Sequence, residues 1–158
     1  MEVLQQQIVD TWFIHHRINV MLIEALTDEA LMFTTSKRGG GSVGHQLAHM
    51  YNVRFWKLER MHQPWVAHLN TIKADDVKTI NSLHSMHAVS AALIGDVLKE
   101  GMANGGVVKG FKRGVVPLLG YFIAHEAHHR GNILLTLKLC GFTLPDTLKY
   151  GIWEWNKI

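Results

Sequence analysis

The chain is short of cysteine, proline and charge. A single cysteine among 158 residues allows no internal disulfide and fits a reducing compartment. Three prolines, and 14 glycines without a G-X-Y period, exclude collagen-like and proline-rich scaffolds. Charged residues make up 18% and apolar residues 47%, the reverse of a disordered chain. Net charge is only +3 and the basic residues are scattered, so no nucleic-acid surface is expected. The longest nearly continuous apolar run, Val115 to Ala124, falls well below the roughly 18 residues of a membrane-spanning helix. The opening MEVLQQQIVD has neither the basic start nor the apolar core of a secretory signal, so the expected setting is the cytoplasm, with no membrane partner. The length fits one domain over residues 1–158, large enough to fold without a disulfide or metal staple.

Histidine is abundant instead: 11 residues, bunched as His15/His16, His45/His49, His84/His87 and His125/His128/His129. Imidazole is the commonest protein metal ligand and a near-neutral acid or base.

Apolar spacing of three to four predicts four long helices. The first spans Glu2 to Leu26, with Leu4, Ile8, Trp12, Ile14/His15, Ile18, Met21/Leu22 and Ala25 on one face. The second starts after the Gly39-Gly40-Gly41 linker with Ser42 as N-cap, and runs from Val43 to Met61 through Leu47, Met50, Tyr51, Phe55 and Leu58. The third runs from Asp76 to Glu100 through Val77, Ile80, Leu83, His87, Ala91, Ile94 and Leu98. A glycine-rich, hairpin-like loop covers Gly101 to Gly114. The fourth runs from Val116, with Pro117 in its first turn, to Cys140, and Gly141 caps it. No segment alternates as a strand does, so the fold class is all-α, a four-helix bundle. The tail with Pro145, Trp153 and Trp155 should fold back over the bundle, and Trp12, Trp56, Trp65, Trp153 and Trp155 are read as core and lid.

His125 and His129 are four apart, so their imidazoles can reach one ion from one helix face. The run H-E-x-H-H is one residue off the H-E-x-x-H zinc motif, and Glu126 is not given that motif's catalytic role. A wheel places Leu118, Tyr121, Phe122, His125, His129, Asn132, Ile133 and Thr136 together, facing the core, with His128 at the edge. A third ligand must come from another helix. The wheel leaves His45 and His49 open; His84 and His87, then His15 and His16, are fallbacks, each otherwise a solvated or edge residue. Arg130 is read as a surface or inter-helix salt bridge, Gly131 as a point of close helix approach, and Cys140 as buried and unreactive. Lys109, Lys112 and Arg113 beside Phe111 are read as solvated.

The segment Gly44-His45-Gln46-Leu47-Ala48-His49, running on to Phe55-Trp56, resembles the second-helix motif of the DinB/YfiT superfamily. His125-x-x-x-His129-Arg130-Gly131-Asn132 resembles its H-x-x-x-H-R-G-Q motif, with Asn132 where the family has Gln, and Cys140-Gly141-Phe142-Thr143-Leu144-Pro145 resembles its ending. The resemblance implies a four-helix bundle holding one divalent ion, zinc, nickel or iron, through three histidines. By residue match these are His49, His125 and His129. It also implies a thiol-dependent transferase using a low-molecular-weight thiol on a small-molecule substrate, working as a homodimer. Three imidazoles leave an open coordination position, which serves thiol or water activation alike. A hydrolase on the same site and a non-catalytic stress-response binding protein are therefore the alternatives.

Overall fold

The computed structural model describes residues 2–36, 40–61, 64–73, 76 and 79–158. Among them are five α-helices: α1 (Glu2–Glu24), α2 (Val43–Arg60), α3 (Ile80–Ala103), α4 (Val115–Leu139) and the short α5 (Asp146–Gly151). Two 3₁₀ turns, Glu29–Met32 and Pro64–His68, sit in the connections. The four long helices make the expected bundle. Among the described residues the only β pairing is an isolated bridge, Val108 to Phe111, in the glycine-rich loop. Gly39, Val77 and the side chain of Trp65 lie outside the described residues.

The helix ends follow local chemistry. Ser42 Oγ accepts from His45 N at 3.2 Å and starts α2. Thr79 does the same for α3, accepting from Ser82 N at 3.4 Å, so that helix begins at Ile80 and not at Asp76. It also continues through Gly101 to Ala103, where the sequence suggested a loop. At the end of α4, Gly141 takes φ +80°. Phe142 N then reaches Leu137 O at 2.9 Å and Gly141 N reaches Lys138 O at 3.2 Å, the paired bonds of a Schellman cap.

The interior has two apolar halves. One joins Ile18, Leu22, Leu47, Met50, Leu83, Ile133 and Leu137 with Leu148 and Ile152 of the tail. The other joins Trp12, Leu58, Ala91, Ile94, Leu98, Leu118 and Phe122. Between them lies a buried polar layer to which every long helix contributes: His15 and Asn19 from α1, Arg54 from α2, His87 and Ser90 from α3, and Glu126 from α4.

The packing corrects several expectations. The buried stripe of α4 runs through Val115, Leu119, Phe122, Glu126, Ile133 and Leu137. It is turned toward Glu126, because Arg54 draws that carboxylate inward, and Tyr121 is left exposed. Leu137, which the wheel did not place with the core-facing group, is fully buried. Gly131 faces open space: a methyl placed there would meet nothing within 4 Å, so no helix approaches it. Cys140 is exposed, since α4 has already ended at Leu139. In the tail, Leu148 and Ile152 take the inward positions, which leaves Trp153 and Trp155 exposed; only Trp12 is a core tryptophan among those described.

Candidate metal centre

His49 projects from the middle of α2, and His125 and His129 from successive turns of α4. Their ring centroids are 5.3 Å (His49 to His125), 4.8 Å (His49 to His129) and 4.6 Å (His125 to His129) apart. One ring nitrogen from each lies within 4.8 Å of the other two, close enough to hold a single ion. All three side chains are half-buried. His45, which the wheel left as an equal candidate, is exposed and outside this group.

Burial depresses the pKa of all three imidazoles, and the neighbouring histidines depress it further. His129, facing His125 and His49, is pushed down to about 4. The rings are therefore neutral near pH 7, the form that binds metal. The Nδ1 atoms of His125 and His129 are buried and have no hydrogen-bond partner. Unpaired buried nitrogens of this kind also occur on His15, His16 and His87, so what singles out the triad is the spacing of its ring nitrogens, which one ion can span. The donor set therefore fits a divalent metal.

Aromatic rings pack around the triad. Tyr121 stacks on His125 at 6.0 Å with a 9° interplanar angle, and Trp56 meets His49 edge-on at 6.3 Å. Trp56, read with the other tryptophans as core and lid, is 44% exposed. Lys57 Nζ stands 4.3 Å from the centre of the Tyr121 ring.

The polar layer lies directly behind α4's ligands. Arg54 grips Glu126 with two bonds, Nε to Oε1 at 2.6 Å and Nη2 to Oε2 at 2.7 Å. His15 Nε2 donates to Glu126 Oε2 at 2.9 Å, and Asn19 Nδ2 donates to the same oxygen at 2.7 Å. Asn19 Oδ1 accepts from Arg130 Nη1 at 2.7 Å, so Arg130 makes an inter-helix hydrogen bond, not a salt bridge. Arg54 Nη1 also reaches the carbonyl of His87 at 3.0 Å, and His87 Nε2 donates to the carbonyl of Leu47 at 3.0 Å. Burial alone would raise the Glu126 pKa, but the Arg54 guanidinium and the hydrogen bonds of Arg54 and His15 outweigh it and hold the carboxyl far below the usual range. Burial keeps His15 and His87 neutral.

His15 and His87, expected at solvated or edge positions, are thus fully buried members of this layer. His16 is half-buried, with its pKa pushed down to about 4 by burial and then by Arg54. His84 lies 3.3 Å from Glu24 at the surface. His128 is exposed, with its Nε2 3.2 Å from Asn132 Nδ2. Sequence reasoning missed Arg54, Glu126 and Gln46. A signal existed for Arg54, which interrupts the inward series Met50, Arg54, Leu58 at four-residue spacing.

The model of the DinB family matches residues 1–155. No curated protein and no solved structure matches the chain.

Proposed function

The chain belongs to the DinB family, and from that premise we propose that it is a metal-dependent enzyme in which His49, His125 and His129 hold one divalent ion that activates a thiol. The observation that carries this is the triad itself: three neutral imidazoles from two helices, with ligand atoms within 4.8 Å of one another. Zinc, nickel and iron all accept such ligands. A divalent ion held by three neutral ligands keeps an open position and lowers the pKa of a thiol or water bound there. In transfer to a carbon electrophile, the thiol sulfur forms the new S–C bond, the thiol proton is released, and the leaving group departs with the electrons of the broken bond.

The chain's own groups supply the setting. Trp56 and Tyr121 present partly exposed aromatic surface against the ligand rings, suited to an apolar electrophile. The Arg54–Glu126 pair fixes the rotation of α4 and hence where His125 and His129 point. The chain acts as one domain over residues 1–158, in the cytoplasm, where low-molecular-weight thiols stay reduced. No helix among the described residues is long and apolar enough to cross a membrane. Pairing as a homodimer draws support from Leu135, Leu139, Tyr150 and Trp153, large apolar side chains left exposed toward the C-terminus.

The test is metal analysis of protein purified without a nickel column, followed by two assay panels. Conjugation of small thiols to electrophiles, dependent on the metal and lost in His125→Ala, is expected. Hydrolysis of esters or amides without conjugation would replace the transferase reading by the hydrolase. Absence of stoichiometric metal would leave a non-catalytic binding protein.

A further inference from the structure

Gln46 lies one turn before His49 on α2 and is only 1% exposed. Both its Nε2 and its Oε1 are buried without a hydrogen-bond partner. Buried amides are ordinarily paired, and an unpaired one is a standing cost that a leucine of similar size would avoid. Nothing in the packing requires an amide here.

Gln46 is also one of six residues, with Gly40, Gly41, His45, His49 and His129, that line a cavity of about 300 Å³. Two of these six are ligands of the triad. The glycines are what leave the cavity open. Gly40 and Gly41 have φ of +91° and +76°, a conformation that side chains resist. A methyl on Gly40 would lie 3.4 Å from Gln46 Cδ, against the amide group, and one on Gly41 would collide with the His45 ring. Gly40 and Gly41, read from sequence as part of a plain linker, therefore form a cavity wall.

We propose that Gln46 is the recognition residue of a small-molecule subsite beside the metal centre, and that it takes a carboxamide or peptide-like amide carried by the bound thiol. The inference rests on the three-histidine metal reading and adds the substrate class. The chemistry selects the amide. Gln46 offers one donor group and one acceptor side by side. A carboxylate would satisfy Nε2 but set an anion against Oε1; an ammonium would do the reverse. Only a neutral group with both a donor and an acceptor pairs both atoms. The volume suits a molecule at the small end of the ligand range.

The experiment uses the full chain loaded with cobalt(II), whose sulfur-to-metal absorption reports thiol binding. It is titrated with 2-mercaptoacetamide and with 2-methylpropane-1-thiol, which has the same heavy-atom connectivity without the amide. Comparing wild type with Gln46→Leu cancels the intrinsic difference between the two thiols. The expected result is unchanged cobalt stoichiometry in Gln46→Leu, a Tm equal to or above wild type, and a loss of about tenfold in preference for the amide thiol, the scale of one or two hydrogen bonds. Cobalt bound in both proteins with the preference unchanged overturns the subsite alone. A Tm lowered by the substitution overturns it too, because the amide would then be serving the fold. No cobalt in wild type overturns the metal reading and the subsite with it.

Discussion

Replacing Arg54 by Met should be among the most damaging single changes in the protein. Met has a similar length and leaves little void, so the effect isolates the charge. Glu126 would keep only His15 and Asn19 as donors, and its carboxylate would sit unneutralised in a fully buried position. Breaking one side of a buried ion pair costs about 3–5 kcal/mol. For a chain of this length that is a fall in Tm of roughly 6–20 °C. Glu126→Gln strands the guanidinium instead and should cost a similar amount. The double variant Arg54→Met/Glu126→Gln removes both charges while leaving an amide oxygen for His15 and Asn19, and should recover most of the loss. Urea unfolding followed by circular dichroism gives all three values and the coupling between them. A loss below about 1 kcal/mol for Arg54→Met, or a double variant equal to the sum of the singles, would refute the reasoning.

Other outcomes follow from the same geometry. His49→Ala, His125→Ala and His129→Ala should each lose stoichiometric metal while His45→Ala keeps it, by elemental analysis; metal retained in both α4 variants sinks the ligand set. Protons compete for the same nitrogens, so metal should be released as pH drops through the histidine range, and full retention at about pH 4 would point to other ligands. Stability should also fall with pH. His87 is neutral in the folded protein, its pKa pushed down to about 3 by burial and then by Arg54, while unfolded it takes a proton near 6.5. The unfolded chain thus binds more protons below about pH 6.5, and the loss grows to about 2 kcal/mol by about pH 5 from this residue alone. Equal urea midpoints at about pH 7.5 and 5 would contradict it. Light scattering at micromolar concentration should give twice the chain mass; a value near 17.9 kDa refutes the homodimer.

The four long helices were legible because their apolar spacing, the caps at Ser42 and Gly141 and the glycine-rich breaks all agree. The triad was partly legible: spacing paired His125 with His129, but only family resemblance separated His49 from His45. Geometry adds the physical difference, since His49 faces α4 while His45 is exposed over Gly41. The polar layer was not legible from hydropathy, which treats Arg54 and Glu126 as outward residues and gives His15 and His87 no inward partner even though they fall on the apolar stripes of α1 and α3. Their burial depends on partners up to 111 residues apart in the chain, which no local window contains. The same blindness turned the α4 wheel toward Tyr121 and Asn132 and away from Glu126. Gln46 was hidden for another reason: its lack of a partner can be seen only once every neighbour is in place.

The pairing of Arg54 with Glu126 also sets how far each helix may slide along its neighbours. Apolar side chains four residues apart are nearly interchangeable, so a bundle held by them alone tolerates displacement by one turn, about 5.4 Å. Here such a slip is penalised from either side. Moving α4 by one turn brings Arg130 or Phe122 opposite Arg54, a second guanidinium in one case and a ring with no carboxylate in the other. Moving α2 by one turn offers Glu126 only Met50 or Leu58. A single alignment of the two helices leaves neither charge stranded, and that alignment is the one that sets His49 across from His125 and His129.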